Sequence, residues 1–163
     1  MPARDLEPVP ARIGLILLAT DHTTERDFQR MVPHAELGLY GTRVEYANPT
    51  TPENLRRLAP RLSAAAAMIL PGERLDALYF GCTSASVVIG DESVAAAIDR
   101  ARPGVPLVTP VTAACDAFRA LGVRRISVLT PYTLETSQPL FPYFEARGFS
   151  GTTLACFGFD DDR

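Results

Sequence analysis

The tetrapeptide Gly81-Cys82-Thr83-Ser84 is the segment of this sequence whose residue types are best suited to chemistry. It follows an apolar run at residues 75–80 and precedes a stretch of small residues. A strand that ends in a cysteine places the sulfur at the carboxyl edge of a sheet, where open α/β sheets bind ligands. Backbone N–H groups from Thr83 onward would favour a thiolate over a thiol, and they would equally favour a substrate carboxylate. The alternative is that Cys82 is a small buried apolar residue, as most free cysteines are.

Repeated strand–helix units surround this tetrapeptide. Strands are predicted at 12–19, 42–47, 75–80, 106–109, 125–130 and 152–159, and helices at 24–31, 51–70, 91–102, 112–121 and 136–147. The longest strand runs are continuously apolar, which is typical of strands buried on both faces. Alternating strands and helices predict an α/β fold with a doubly wound parallel sheet and right-handed crossovers. A dinucleotide-binding glycine fingerprint is absent after the first strand.

Local signals refine this scheme. Thr24 and Asp27 resemble a capping box that would open the first helix, and Pro60 is expected to interrupt the second. An apolar strand followed by Thr-Pro occurs twice, at Thr109 and at Thr130. The repetition would fit duplicated half-sites, but the simpler interpretation is two strands that end in the same turn chemistry.

The charge balance argues against nucleic-acid binding. The formal net charge is -3 and the sequence pI is about 5.4, with no basic stripe. All the cationic residues other than histidine are arginines, so Schiff-base chemistry and a P-loop lysine are excluded.

The three cysteines are too few and too widely spaced for a disulfide framework, and no Cys/His cluster indicates zinc. Residues 1–12 lack the apolar segment of a secretion signal, and no apolar stretch is long enough to cross a membrane. We therefore expect a reduced, cytoplasmic protein with no membrane partner.

Three segments together resemble a known family: residues 81–84, 120–126 and 129–132. They are similar to the maleate isomerase and arylmalonate decarboxylase branch of the aspartate/glutamate racemase superfamily, and within it most similar to the ectoine-utilisation protein A family. The resemblance implies two similar α/β domains with the active site between them, and chemistry that needs no cofactor and no metal. In the racemases two opposed thiols act as acid and base, and in maleate isomerase the first thiolate adds to the double bond. The decarboxylase has glycine where this chain has Cys82, which favours isomerase or racemase chemistry here.

The resemblance also implies roles for individual residues. Cys82 falls on the first catalytic cysteine, and Thr83 and Ser84 fall on positions that hydrogen-bond a substrate carboxylate. Tyr132 falls on a tyrosine that contacts a carboxylate or the developing enediolate. Asp21 falls near a substrate-binding asparagine of maleate isomerase, and its charge would suit an amino- or amide-bearing acid better than a dicarboxylate.

Each of these residues also has an ordinary structural interpretation. Thr83 and Ser84 are of the type that caps a helix, and Asp21 could cap the first helix in the same way. Tyr132 could pack over the seam between the domains.

The domain organisation follows from the same resemblance. We expect residues 1–111 to form the first α/β domain and residues 112–163 to begin a second, incomplete one. The family's second cysteine would lie beyond residue 163, because Cys156 sits inside a predicted strand and not at its end. The expected function is a cofactor-independent isomerase or racemase acting on a small carboxylic acid, either from ectoine degradation or maleate-like. The alternative is a non-catalytic carboxylate-binding or structural fragment. An incomplete second domain would expose apolar strand surface, so a homo-oligomer is also expected.

Overall fold

Strands and helices alternate along the chain in the computed structural model, which describes residues 11–32 and 37–161. The strands are β1 (Ala11–Leu18), β2 (Leu37–Val44), β3 (Ala77–Phe80), β4 (Leu107–Val108), β5 (Arg125–Tyr132) and β6 (Ser150–Phe159). The helices are α1 (Thr24–Met31), α2 (Pro52–Arg56), α3 (Ala59–Met68), α4 (Thr83–Ile89), α5 (Asp91–Asp99), α6 (Pro110–Ala120), α7 (Leu134–Ser137) and α8 (Leu140–Glu145).

The first sheet has the strand order β2-β1-β3-β4, and all its strands are parallel. Its central strand β1 carries Leu15, Ile16 and Leu17, none of which is exposed to solvent. A continuous apolar run is what a strand needs when both faces of its sheet are covered. The predicted α/β fold with a doubly wound parallel sheet is therefore confirmed.

The second sheet consists of the parallel pair β5 and β6. One face packs on α6 and α8 through an apolar core that includes Val111, Cys115, Ile126 and Phe144. Cys115 is thus a core residue. The other face of this sheet is exposed.

Several elements differ from the predicted ones. The helix expected at 136–147 is divided into α7 and α8. The second strand begins at Leu37, because eight of its residues pair in register with β1. The helix expected at 51–70 is interrupted, as Pro60 predicted: it forms α2 and α3, with Pro60 in the first turn of α3, where the N–H that proline lacks would have no acceptor in the helix. Helix α4 was not predicted, since its serines and valines have modest helix propensity.

Two local motifs also differ from those that the sequence predicts. The N-cap of α1 is Thr23, whose side chain makes no capping bond, so the capping box expected at Thr24 and Asp27 is wrong. The two Thr-Pro steps do not end their strands alike. Thr109 caps α6 through a reciprocal capping box with Thr112, whereas Thr130 lies inside β5, which continues to Tyr132.

A cluster of three side chains joins α5 to α8. The Tyr143 hydroxyl donates to Asp91 Oδ2 over 2.9 Å, and Arg147 Nη2 donates to the same oxygen over 2.5 Å. The Arg147 guanidinium also lies 3.5 Å from the centre of the Tyr143 ring. The cluster therefore connects the helices of the two sheets.

In the part of the chain that the structure describes, no helix is both long and apolar enough to cross a bilayer.

Candidate functional site

A small cavity of about 150 Å³ lies where strand ends of the two sheets meet. Its lining consists of Leu18, Tyr46, Thr50, Leu55, Gly81, Cys82, Thr83, Ser84 and Tyr132. Leu18 ends β1, Gly81 follows β3 and Tyr132 ends β5, so these are carboxyl ends of parallel strands, where α/β folds bind ligands. Four of the five candidate residues from the sequence share this cavity. The fifth, Asp21, is not part of its lining.

Cys82 occupies the turn between β3 and α4. It is the N-cap of α4, with extended backbone, and its residue is 6% exposed. Its carbonyl oxygen accepts hydrogen bonds from the Ser86 N–H at 3.0 Å and from the Ser86 hydroxyl at 2.7 Å. These bonds hold the backbone, so the thiol has a defined position at the cavity.

Gly81 allows this tight turn because its neighbours leave no room for a side chain. A Cβ atom at this position would lie 2.6 Å from Leu17 Cδ2 and 3.1 Å from a ring carbon of Tyr79. The Gly81 N–H donates to the Ile16 carbonyl oxygen at 2.9 Å, which ties the turn to β1. A side chain at position 81 would require the Leu17 side chain and the Tyr79 ring to shift.

Ser84 supplies a hydroxyl close to the thiol. Its Oγ atom lies 3.7 Å from Cys82 Sγ, and the residue is 3% exposed. Thr83 and Ser84 also stand in the first turn of α4, whose N–H groups have no acceptor within the helix. Hydroxyl and N–H donors beside a thiol can stabilise either a thiolate or a bound carboxylate.

Tyr132 reaches the same cavity from the second sheet. It is the last residue of β5 and is paired with Phe159 of β6 across the ladder. The β5–β6 ladder thus extends to the residue that lines the cavity.

Tyr46 and Thr50 line the cavity but were not among the candidates from the sequence. The Tyr46 hydroxyl donates to Thr50 Oγ1 over 2.7 Å. Both residues lie in the irregular stretch between β2 and α2, where no motif marks them. The sequence does hold one signal for them. They come just after a strand parallel to β1, and residues that follow parallel strands lie at the edge of the sheet where Cys82 also lies.

Asp21 acts at the start of α1. Its carboxylate accepts hydrogen bonds from the N–H groups of Thr23 and Thr24, at 2.9 and 3.0 Å, and from the Thr24 hydroxyl at 2.6 Å. Burial acts to raise its pKa, but these bonds and the charge of Arg43 outweigh it and lower the pKa below 3.8. Asp21 is therefore ionised at neutral pH. It lines a separate surface cavity of about 180 Å³ that shares only Leu18 with the first.

The remaining chemically interesting side chains lie elsewhere. Cys115 lies on α6 and is buried in the core beside the second sheet, and this burial raises the pKa of its thiol. Cys156 pairs with Thr130 inside the β5–β6 ladder. Among the described residues, no three histidine, cysteine, aspartate or glutamate side chains are grouped so that they could hold a metal ion.

Comparison with known proteins identifies relatives of this fold. A family model described as arylmalonate decarboxylase matches residues 53–161. No curated protein sequence matches the chain.

Solved structures with the same fold include a maleate cis-trans isomerase from Nocardia farcinica, carrying a covalently bound succinylcysteine intermediate. It has a TM-score of 0.77 at 21% identity, over 93% of this chain and 65% of the isomerase. A maleate isomerase from Pseudomonas putida S16 has a TM-score of 0.67 at 21% identity, over the same shares of both chains. A liganded variant of arylmalonate decarboxylase has a TM-score of 0.74 at 24% identity, over 91% of this chain and 63% of the decarboxylase. The chain thus spans about two thirds of the length of these proteins, and at these identities the similarity establishes the fold.

Proposed function

The chain belongs to the arylmalonate decarboxylase family, and from this premise we propose that it forms the Cys82 side of a cofactor-independent isomerase or racemase site for a small carboxylic acid. One observation carries the proposal. A buried thiol, two hydroxyl residues in the first turn of a helix and a tyrosine from the second sheet all line one small cavity. This arrangement combines a nucleophile or base with hydrogen-bond donors for a carboxylate.

In a racemase reaction, the Cys82 thiolate would take the proton from the carbon next to the substrate carboxylate. The C–H electron pair would move into the carboxylate to give an enediolate, and the sulfur would become a thiol. Donors from Thr83, Ser84 and Tyr132 would stabilise the charge that develops on the carboxylate oxygens. An acid on the side of the site opposite Cys82 would deliver a proton to the other face of the carbon, which completes the inversion, and the Cys82 thiol would release its proton to solvent.

In a cis–trans isomerisation, the same thiolate would add to one carbon of a double bond conjugated with a carboxylate. The double-bond electrons would move towards that carboxylate, and the carbon–carbon bond would then rotate as a single bond. Expulsion of the thiolate would restore the double bond in the other geometry. The succinylcysteine intermediate of the Nocardia farcinica isomerase supports this route.

The substrate we propose is an acid from ectoine degradation or a maleate-like acid. Asp21 lines a separate cavity and its carboxylate is hydrogen-bonded at the start of α1, so it does not select between these two acids. The resemblance to the ectoine-utilisation protein A family supports the first.

The test is the rate at which each cysteine reacts with iodoacetamide as a function of pH, followed by peptide mass spectrometry. Cys82 should react as a thiolate near neutral pH, and small carboxylates should slow its alkylation. Cys115 and Cys156 are internal controls, whose rates should not respond to carboxylates. The proposal fails if no carboxylate changes the Cys82 rate.

A second measurement separates catalysis from simple binding. The chain is incubated in D₂O with a small chiral carboxylic acid, and exchange of the hydrogen next to the carboxylate is followed by NMR. A proton-abstracting thiolate exchanges this hydrogen, and Cys82→Ala should abolish the exchange. If carboxylates protect Cys82, yet neither hydrogen exchange nor isomerisation of maleate is detected, the chain is a carboxylate-binding module.

A further inference from the structure

Tyr46 and Thr50 form a second polar surface in the cavity, apart from the Cys82-Thr83-Ser84 turn. We infer that the Thr50 hydroxyl donates a hydrogen bond to an uncharged acceptor on the substrate. The substrate class is then a small monocarboxylic acid that also carries a neutral polar group, such as an amide. This inference rests on the proposed function, because it assumes that the carboxylate of the acid lies beside Thr83 and Ser84.

The hydrogen bonds around Thr50 leave its hydroxyl hydrogen for a ligand. Its N–H donates to the Asp160 carbonyl oxygen at 2.6 Å, and its own carbonyl oxygen accepts from the Thr136 hydroxyl at 2.8 Å. Thr50 Oγ1 accepts from the Tyr46 hydroxyl at 2.7 Å. A hydroxyl that accepts a bond still has one hydrogen to donate, and no described residue accepts it.

Burial makes this hydrogen significant. Thr50 is 5% exposed and its side chain lines the cavity. A buried donor without an acceptor destabilises the protein. A ligand that supplies the acceptor removes this penalty and therefore binds more tightly. Tyr46 contributes by orienting Thr50, because a hydroxyl that accepts from one side is directed to donate elsewhere. Tyr46 is therefore a positioning residue and Thr50 the contact residue.

The residues that line the cavity favour a neutral group on the ligand over a second carboxylate. Among the described residues that line the cavity, none is an arginine or a histidine. A second carboxylate would thus lose part of its hydration without a cationic partner, which is unfavourable. An amide carbonyl needs only a hydrogen-bond donor. Leu18 and Leu55 supply the apolar part of the lining, which suits a short carbon chain between the two polar ends.

The experiment compares three acids of similar length: succinamate with a terminal amide, succinate with a second carboxylate, and 4-methylpentanoate with an apolar end of the same shape. The measured quantity is the concentration of each acid that halves the rate of Cys82 alkylation by iodoacetamide. Succinamate should be effective at a concentration roughly 5- to 10-fold lower than 4-methylpentanoate, as expected for one hydrogen bond to a buried donor. Succinate should be weaker than succinamate.

Thr50→Val keeps the shape of the side chain and removes its hydroxyl, so the ratio between succinamate and 4-methylpentanoate should fall to about 1. Tyr46→Phe retains Thr50 and should lower the ratio by a smaller factor. Thr153→Val, on an exposed position of β6, is the matched control and should keep the wild-type ratio. If circular dichroism shows that Thr50→Val is unfolded, Tyr46→Phe carries the test alone.

Two results would overturn the inference. One is equal protection of the wild-type chain by succinamate and 4-methylpentanoate. The other is a preference for succinamate that is undiminished in Thr50→Val, or undiminished in Tyr46→Phe where only that variant folds. In either case the carboxylate site itself would stand. Failure of all three acids to protect Cys82 would overturn the proposed function together with this inference.

Discussion

The Sγ atom of Cys82 lies 3.7 Å from the Oγ atom of Ser84, and both residues are buried beside the same cavity. They are two positions apart in sequence and are brought together because Cys82 is the N-cap of α4 and Ser84 stands in its first turn. A hydroxyl at this distance can donate to a thiolate, which favours the reactive form of the cysteine.

Replacing Ser84 by alanine should therefore slow the alkylation of Cys82 at neutral pH by several-fold, since the hydrogen bond to a charged acceptor is lost. The measurement is the rate of iodoacetamide modification at position 82. Ser86→Ala is the matched control, because the Ser86 hydroxyl donates to the Cys82 carbonyl oxygen and not to the sulfur. Equal rates for the wild type and Ser84→Ala would show that the hydroxyl does not stabilise the thiolate.

Asp21 should contribute to stability through its bonds to the start of α1. Asp21→Ala should reduce the free energy of unfolding by about 1 kcal/mol at pH 7, whereas Asp21→Asn, which can still accept these bonds, should lose less. Urea denaturation followed by circular dichroism measures both. If Asp21→Asn loses as much unfolding free energy as Asp21→Ala, the stabilisation comes from the charge of Asp21 alone.

The contribution of Asp21 also depends on pH in a defined direction. Its pKa in the folded protein is lower than the ordinary value of 3.8. The stabilisation is therefore present above pH 3.8 and is lost as the pH falls through the folded-state pKa. The difference in unfolding free energy between the wild type and Asp21→Ala should shrink below pH 3.8. A difference that stays constant down to pH 2 would contradict this assignment.

The exposed face of the β5–β6 sheet should cause self-association. Leu129, Phe157 and Phe159 on this sheet are 65%, 65% and 60% exposed, and the two phenylalanine rings stack with their centroids 6.0 Å apart. Clustered apolar side chains on a sheet promote association. Static light scattering should give a mass above that of the monomer, and replacing both phenylalanines by serine should lower it. Leu121→Ser, at an exposed position after α6, should leave the mass unchanged.

Tyr143 should make stability fall at alkaline pH. Its burial and its hydrogen bond to Asp91 raise the pKa of its phenol well above 10. The folded protein therefore holds this proton where the unfolded chain releases it, so stability is complete below pH 10 and declines above it. In Tyr143→Phe the decline above pH 10 should be shallower, as measured by thermal denaturation at pH 9 to 11. Tyr40→Phe, on the edge strand β2, should retain the wild-type dependence.

The class of fold could be predicted because apolar runs and helix signals are local. The run at β1 is apolar at successive positions, and Thr51 followed by Pro52 marks the start of α2 correctly. Element boundaries were less well predicted, because they depend on partners elsewhere in the chain. Strand β2 extends back to Leu37 only because β1 offers eight paired positions, and a parallel ladder cannot be seen in one segment.

The candidate site could be predicted in part, because some of its residues are neighbours in the sequence. Cys82, Thr83 and Ser84 are consecutive, so their position directly after a predicted strand is enough to place them together. Tyr46 and Thr50 lie more than thirty positions earlier in a segment without regular structure. Their contribution depends on the loop after β2 returning to the carboxyl edge of the sheet.

By itself, the sequence determined an α/β chain with a cysteine and two hydroxyl residues at the end of a strand, because strand and helix periodicity and the order of adjacent residues are local properties. The surroundings of that cysteine depend on how distant segments pack together. The tertiary structure brings Tyr132 from the second sheet and Thr50 from the β2–α2 loop to the same cavity, and it engages Asp21 at the start of α1. The physical reason is that the lining of a cavity is set by strand register and by hydrogen bonds between distant segments, such as that from Thr136 to Thr50.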